Sequence, residues 1–323
     1  MGVVDAINAL NQPAQKLIDT VSAAIGKVYE PRHIRKMADA EAYRINTVSE
    51  AMRNNCDLPI EYNSQDGTTA IDISDFNQLI QRTGARLAYQ EVMKQQNIEN
   101  VIDKAYTELE KETQVSEEPV SEDWINRFFN SVEDISDDDM QKLFGMILAD
   151  EIRHPNTYSL RTLNVLRNLS KSEAELFVKI APLVFHGLIL SDGELLTKYG
   201  VSYVDIIKLD DCGLVSSKNS SNNLKVEKNC VVLNTKEHLI FAKNEKDSAF
   251  SLKMGVYVLT PAGNELLKVV DSSKTESLMC DMARVIQNEN KDVHISLHRI
   301  TEIEDDGLKY DTTDLLKKCE TNE

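Results

Sequence analysis

The fold is constrained most by the stretch from Trp124 to Phe177, where polar capping residues mark the starts of successive helices. Ser136 followed by Asp139 forms a capping-box pattern, and Pro155 ends the helix that begins there. Apolar residues then recur at helical spacing, so one full face of this helix is expected to be buried. That face comprises Met140, Leu143, Phe144, Ile147 and Leu148.

Other helices flank this one. Ser159 marks a second start, and Ser170 with Glu173 forms another capping box. A short aromatic helix that contains Trp124, the only tryptophan, precedes them all. Consecutive helices with short connections predict a compact antiparallel cluster. We interpret its aromatic residues as core rather than as a ligand site, because such a cluster needs apolar side chains to hold it together.

The N-terminal part predicts long helices. Residues 1–25 place apolar residues at alternating steps of three and four, which favours a seam for a partner helix over a membrane-surface helix. The seam comprises Val3, Ile7, Leu10, Ala14, Leu17 and Val21, with Pro13 as an interruption. A second helix begins near Tyr29, and a long helix or helix pair runs from about Ser74 to Glu112.

The C-terminal part resembles a winged-helix module, with a helix from Ser202 to Cys212, a polar hairpin and a helix after Thr260. A helix that enters the major groove needs Arg, Lys, Asn or Gln side chains that reach base edges. The presumed recognition helix instead carries Asp205, Asp210 and Asp211 against Lys208 alone. The module is therefore expected to bind protein rather than DNA. A final helix and strand follow, and residues 311–323 are expected to fray.

These patterns predict a mainly α protein with long N-terminal helices, a central helical cluster and a C-terminal α+β winged-helix-like module. The expected domains are an N-terminal helical arm (1–56), a long helix with an acidic linker (57–120), a central helical domain (121–190), the winged-helix-like α+β module (191–272) and a C-terminal helix, strand and tail (273–323).

Charge disfavours nucleic acid as a partner. The net charge is −17, and residues from Glu108 to Glu151 include 14 acidic and 3 basic side chains. From Ile152 to Ser170 there are three arginines and no acidic residue, and we expect these arginines to pair with the acidic helix beside them. A second basic cluster follows Tyr29. The candidate interaction residues are Arg32, Arg35, Lys36, Arg153, Arg161 and Arg167.

No catalytic, metal or cofactor site is indicated. Glu151 and His154 match the Glu-x-x-His spacing of di-iron helices, but the second pair that such bundles need is missing from the sequence. Five scattered cysteines without a C-x-x-C pair predict reduced thiols in a cytoplasm. The sequence contains neither a membrane-spanning apolar run of about 18 residues nor a signal-peptide pattern.

Several segments resemble one family of uncharacterised bacterial proteins, described as a domain of unknown function. They are Trp124 to Phe129, ISDDDMQKLFGMILADEI, SLRTLNVLRNLS, EAELF, RLAYQEVMKQQNIENVI (Arg86 to Ile102) and YEPRHIRKMADAEA (Tyr29 to Ala42). The last segment is also similar to abortive-infection proteins of bacterial phage defence. The resemblance implies a role in that defence through sensing of a phage component, and it brings no catalytic motif.

The leading hypothesis is a non-enzymatic interaction or regulatory protein with protein partners. We also expect a homo-oligomer, most simply a two-fold dimer held by residues 1–56. Two alternatives remain open. One is a DNA-binding regulator that uses the winged-helix-like module with the patch from Arg153 to Arg167, and the other is an enzyme of unrecognised type.

Overall fold

The computed structural model describes residues 12–25, 61–62, 69–70, 74–110, 112–246, 248–304 and 307–321. The chain forms two compact units, Met1–Thr157 and Tyr158–Glu323. This division passes through the predicted central helical domain, and the five boundaries drawn from sequence remain predictions.

The described part of the first unit consists of helices and one short hairpin. Its helices are α1 (Gln12–Ile25), α2 (Ser74–Leu109), α3 (Glu122–Val132) and α4 (Asp138–Arg153), and its strands are β1 (Glu61–Tyr62) and β2 (Thr69–Ala70). Helices α2 and α4 pack along each other. They approach closely at Gly145, where an added Cβ would lie 2.7 Å from Cβ of Lys104. A residue without a side chain therefore sets this helix crossing.

The core of the first unit is aromatic, as predicted. The Trp124 ring stacks on Phe128 with centroids 5.1 Å apart, and Phe128 meets Phe144 edge to face at 5.9 Å. All three side chains are buried, together with Ile147. The predicted start of α4 is one residue early, because Asp137 rather than Ser136 is the N-cap and accepts from the backbone N–H groups of the first turn.

Helix α1 contributes the described part of the predicted seam. Ala14, Leu17 and Val21 are buried, and α1 packs against α2, α3 and α4 of its own unit. Pro13 lies in the first turn of α1, and the residues before Gln12, which would show whether it interrupts the seam, lie outside the described residues. The rest of the seam and the helix expected near Tyr29 lie outside the described residues.

The second unit contains helices, strands and two short 3₁₀ turns. Its helices are α5 (Leu160–Asn168), α6 (Lys171–Ile180), α7 (Gly193–Lys198), α8 (Tyr203–Asp211), α9 (Pro261–Leu266), α10 (Glu276–Glu289) and α11 (Leu315–Thr321). Its strands are β3 (Val184–Phe185), β4 (Leu188–Leu190), β5 (Val215–Val226), β6 (Cys230–Asn234), β7 (His238–Asn244), β8 (Phe250–Leu259), β9 (Val293–Glu304) and β10 (Gly307–Tyr310). The predicted caps Ser159, Ser170 and Ser202 are confirmed.

The strands of the second unit form two antiparallel sheets, with strand orders β3-β4-β8-β5 and β10-β9-β7-β6. The prediction of a mainly α protein is therefore wrong, since the chain is a mixed α+β protein. The residues interpreted as one winged-helix-like module divide their strands between the two sheets. The hairpin of β6 and β7 lies between β5 and β8 in sequence but belongs to the other sheet.

The long strand β5 explains part of this error. Its sequence is rich in Ser and Asn and has β-branched residues only at its two ends, Val215 and Val226, so its composition does not favour a strand. In the structure β5 pairs with β8 from Val215↔Leu259 to Val226↔Phe250, with one irregularity near Ser216. Pairing between strands that are far apart in sequence has overridden the local preference.

Residues 315–321, within the segment expected to fray, form helix α11. Leu315 and Leu316 of α11 are buried, and Cys319 forms a disulfide with Cys280 of α10. The prediction of reduced thiols is wrong for this pair, whose 39-residue separation matches no local motif. Cys212 and Cys230 are free thiols. Within the described part of the chain, helices that combine the length and the apolar character of a membrane span are absent.

Candidate interaction surface

Helix α8 presents two of the three most exposed large apolar residues described in the second unit, the third being Ile303 of β9. Its inward residues Ile206 and Leu209 are buried, whereas Tyr203 is 59% and Val204 is 61% exposed. We call the outward residues the α8 face: Tyr203, Val204, Ile207, Lys208 and Asp211. These positions share one side of the helix because they follow three- and four-residue steps.

The turn that leads into α8, which we call the corner, comprises residues 198–202. Contacts with α6 and with Asp281 of α10 hold it in place. Lys179 of α6 donates to the backbone oxygen of Gly200. The Tyr199 hydroxyl donates to Oδ2 of Asp281 at 2.7 Å, and Nζ of Lys198 lies 2.8 Å from the same carboxylate. Burial, followed by the bond to Asp281, raises the pKa of Tyr199 to about 12, so the phenol remains protonated. The corner is therefore a fixed support for the α8 face.

Tyr203 projects from this support with one side of its ring covered. Its ring centroid lies 6.4 Å from that of Tyr257 in β8, and Tyr257 is buried. An aromatic ring that is held on one side and open on the other loses little conformational entropy when a partner covers it. This is the arrangement expected of an anchor residue in a protein interface.

The charges around the α8 face are acidic. A hydrogen bond from the backbone of Ser202 is the largest cause that lowers the pKa of Asp205, and the Ser217 hydroxyl does the same for the pKa of Asp210. Both carboxylates are therefore ionised at neutral pH. Lys208 is the cation of the helix, and its Nζ lies 3.5 Å from Asp205. Helix α8 as a whole thus combines exposed apolar side chains with net negative charge, since Asp205, Asp210 and Asp211 outnumber Lys208.

The candidate arginines do not form one described site. Arg153 is turned inward in the first unit, where Nη2 donates to the backbone oxygen of Glu108 at 2.8 Å and Nε lies 3.4 Å from Glu112. Arg161 and Arg167 lie on α5 of the second unit, where both are exposed and neither forms an ion pair with a described residue. The cluster of Arg32, Arg35 and Lys36 lies outside the described residues.

The residues considered for a metal have structural roles. The Glu151 carboxylate is fully buried and accepts from the backbone N–H groups of Asn156 and Thr157 at 2.7 and 3.1 Å. His154 is the C-cap of α4. His298 contacts backbone oxygens and the Ser296 hydroxyl through its ring nitrogens. Across the described residues, groups of three or more side chains placed to hold a metal ion are absent.

Sequence reasoning identified the acidic character of α8 but not its exposed apolar residues. Tyr203 and Val204 directly follow the Ser202 cap, whereas the buried pair Ile206 and Leu209 lies on the other side of the helix. Apolar residues on both sides of a short helix were the available signal. Which side is covered depends on the tertiary packing of β8 and the neighbouring helices.

Comparison with known families places the chain among related sequences. A family model described as "Protein of unknown function (DUF2806)" matches residues 81–188 and 190–283. The matched region begins within α2, ends within α10 and includes the whole of α8. Neither the curated proteins nor the solved structures provide a match.

Proposed function

We propose that this chain, which belongs to the DUF2806 family of proteins of unknown function, is a non-enzymatic interaction protein whose partner binds the α8 face. The observation that carries this proposal is the pair Tyr203 and Val204, which lie side by side on a fixed support and are more than half exposed. Exposed apolar side chains on a preformed surface favour association, because covering them removes apolar area from water.

The partner is a protein segment with apolar anchors and basic flanks. Helix α8 carries three aspartates against one lysine, and the whole chain carries a net charge of −17, so basic groups on the partner are attracted to it. Apolar contact with Tyr203 supplies affinity, and the charges steer the approach. Binding is therefore expected to weaken with added salt without being abolished.

Photo-crosslinking in the native host cells tests this surface. Tyr203 is replaced by p-benzoylphenylalanine, the cells are irradiated and the attached protein is identified by mass spectrometry. The matched control places the same group at Tyr89 of α2, another highly exposed tyrosine on a helix. We expect a defined protein adduct from position 203 that is absent from position 89.

A second pair of variants tests specificity. Val204→Asp in the crosslinking background should remove the adduct, because it places a carboxylate in an apolar contact. Val178→Asp, at an exposed position on α6, should leave it unchanged. Equal crosslinking from positions 203 and 89, or an adduct that survives Val204→Asp, would reject the α8 face as the binding site.

A role in bacterial phage defence rests on the resemblance of Tyr29 to Ala42 to abortive-infection proteins, and in that role the partner is a phage component. These residues lie outside the described part of the chain and outside the family match. Phage challenge of host cells tests the role. Deleting the gene should raise plaque numbers, and the Val204→Asp protein should fail to restore protection whereas Val178→Asp restores it. Equal plaque numbers with and without the gene would reject it.

The alternative of a DNA-binding regulator has one feature in its favour, namely the exposed pair Arg161 and Arg167 on α5. The negative net charge and the acidic α8 oppose it. The purified protein is therefore expected not to shift random duplex DNA at physiological salt. Micromolar binding that disappears when both arginines are replaced by glutamine would favour DNA over a protein partner.

Dimerisation through residues 1–56 is a separate proposal. Its support is now limited to residues outside the described part, because Ala14, Leu17 and Val21 are covered within their own unit. Light scattering of the full chain at about 50 µM would detect a dimer with a micromolar Kd. A monomeric mass at that concentration would reject the proposal.

A further inference from the structure

Strand β9 has a long outer edge that is only partly paired with another strand. On one side it pairs with β7 from His238↔Arg299 to Asn244↔Val293. On the other side β10 pairs only with the far end of β9, beginning at Tyr310↔Ile300. The outer edge between Val293 and Arg299 therefore needs other hydrogen-bond partners.

Side chains and backbone from two neighbouring segments supply those partners. The Ile295 N–H donates to Oε1 of Gln287 in α10 at 3.0 Å. The Leu297 N–H donates to Oδ1 of Asp314 at 3.2 Å, and the Asp311 N–H donates to the Arg299 oxygen at 2.8 Å. Residues 311–319, which we call the edge segment, thus cover most of the unpaired edge.

Asp314 connects the hydrogen bonding of the outer edge of β9 to helix α11. The same oxygen, Oδ1, also accepts from the Leu316 N–H at 3.1 Å, in the first turn of α11. The ring of His298 binds the backbone oxygens of Asp311 and Thr313 from the strand side, at 3.1 Å each. Movement of α11 would therefore withdraw the groups that satisfy the edge of β9.

Helix α11 is short, and its buried apolar residues lie at one end. The helix has seven residues, a length at which isolated helices are unstable in water. Leu315 and Leu316 are its buried apolar anchors, and both lie at its first turn. Near the other end Cys319 is bonded to Cys280, which is buried in α10. The covalent bond thus adds a second attachment near the other end of α11.

We propose that Cys280 and Cys319 form a redox latch that holds the edge segment on β9 when oxidised and releases it when reduced. This inference is independent of the α8 face. In the reduced state the outer N–H and C=O groups of Leu297 and Arg299 are exposed as an open sheet edge.

Reduction needs a dithiol, and the relative exposure of the two sulfurs determines which one is attacked first. A thiolate of the dithiol attacks Sγ of Cys319, the more accessible sulfur, because Cys280 is buried. The Cys280–Cys319 bond breaks, and Cys280 leaves as a thiolate that takes up a proton. The second thiol of the reagent then displaces Cys319 from the mixed disulfide. Two cysteine thiols and one oxidised dithiol result, with two electrons and two protons transferred.

Hydrogen exchange of single backbone amides, measured by NMR with and without dithiothreitol, tests the latch. Peptide mapping first verifies the Cys280–Cys319 link in the oxidised protein. Reduction should speed exchange of the Leu297 and Leu316 amides at least about tenfold, since local opening exposes them. The internal control is the Ile300 amide, which bonds to the Glu237 oxygen on the β7 side and should not change.

Cysteine variants test whether the response to reductant depends on the Cys280–Cys319 bond rather than on another cysteine. The double variant Cys280→Ser with Cys319→Ser should exchange like the reduced protein, and Cys212→Ser should keep the response to reductant. If the double variant does not fold, the reductant experiment on the natural chain is sufficient. Failure to find the linked peptide, unchanged exchange at Leu297 after complete reduction, or an equal rise at Ile300 would each overturn the latch.

Discussion

Two ionisable side chains, one in each unit, differ in whether their polar atoms are hydrogen-bonded. In the first unit Nζ of Lys16 donates to the backbone oxygens of Ser116, Glu118 and Ile152, at 2.7, 2.7 and 2.9 Å. In the second unit the ring of His238 is 4% exposed, and neither nitrogen has a hydrogen-bond partner among the described residues. A charge that is fully hydrogen-bonded can join separate segments, whereas an unbonded ring is tolerated only while it stays neutral.

Packing differs between the units as well. The core of the first unit contains three large aromatic side chains. Trp124 and Phe128 lie on α3, and Phe144 lies on the next helix, α4. The second unit has its closest glycine contact between α9 and the residue before β5, and it is closer than the contact at Gly145 of the first unit. An added Cβ should therefore be more costly at the contact in the second unit than at the contact in the first.

The largest expected effect is that of Phe144→Ala in the first unit. Phe144 is fully buried, so its removal should lower the free energy of unfolding by about 3–5 kcal/mol. Trp124, the only tryptophan, reports directly on this unit through its fluorescence in urea. Leu79→Ala, at a position 52% exposed, should change stability by less than about 0.5 kcal/mol. An unchanged midpoint for Phe144→Ala would show that this ring is not part of the core.

Replacing a glycine by alanine should lower stability by a smaller amount, and this amount should differ between the two units. A Cβ on Gly263 would lie 2.2 Å from the backbone oxygen of Leu214, which is itself held by the Thr260 N–H at 3.0 Å. Gly263→Ala should therefore cost about 3 kcal/mol in the second unit, and Gly145→Ala about 1–3 kcal/mol in the first.

Urea unfolding measures both glycine variants, with near-UV circular dichroism for the second unit and Trp124 fluorescence for the first. Gly193→Ala is the matched control in the second unit, because an added Cβ there meets nothing within 4 Å. If Gly263→Ala is no more costly than Gly193→Ala, the contact between α9 and Leu214 does not limit stability.

The contrast between the units also explains what could be predicted from sequence. Helix starts at Ser159, Ser170 and Ser202 were predicted because capping is a local interaction between residues three apart. The core around Phe144 was predicted because helical periodicity records which side of a helix is buried. Both signals lie within one element, so they need no knowledge of the tertiary fold.

Features that join distant residues were missed. Lys16 meets carbonyls 100 and 136 residues further along the chain, and Cys280 bonds a residue 39 positions away. The pairing of β5 with β8 likewise spans an inserted hairpin that belongs to another sheet. The candidate site was predicted in part, because the charges of α8 can be counted in the sequence, whereas the exposure of Tyr203 depends on its neighbours.

The smallest expected effect is a pH dependence confined to the second unit. Burial is the main cause that lowers the pKa of His238 below its ordinary value of 6.5, and Arg299 adds to it against Glu237 and Glu276, which raise it. Above pH 6.5 the ring is neutral in both the folded and the unfolded chain. As the pH falls through 6.5 the unfolded chain takes up a proton and the folded chain does not, so the free energy of unfolding falls.

This loss has a maximal slope of about 1.4 kcal/mol per pH unit and ends when the pH falls below the lower, folded pKa. Urea unfolding at pH 7.5 and 5.5, followed by near-UV circular dichroism, compares the natural chain with His238→Leu. The variant should lose less stability between the two conditions, because its side chain does not titrate. His294→Gln is the control, since His294 is exposed on β9 and its replacement should leave the dependence of the natural chain intact. An equal loss in the His238→Leu variant would show that the folded protein accommodates the protonated ring, and the contrast with Lys16 would then no longer hold.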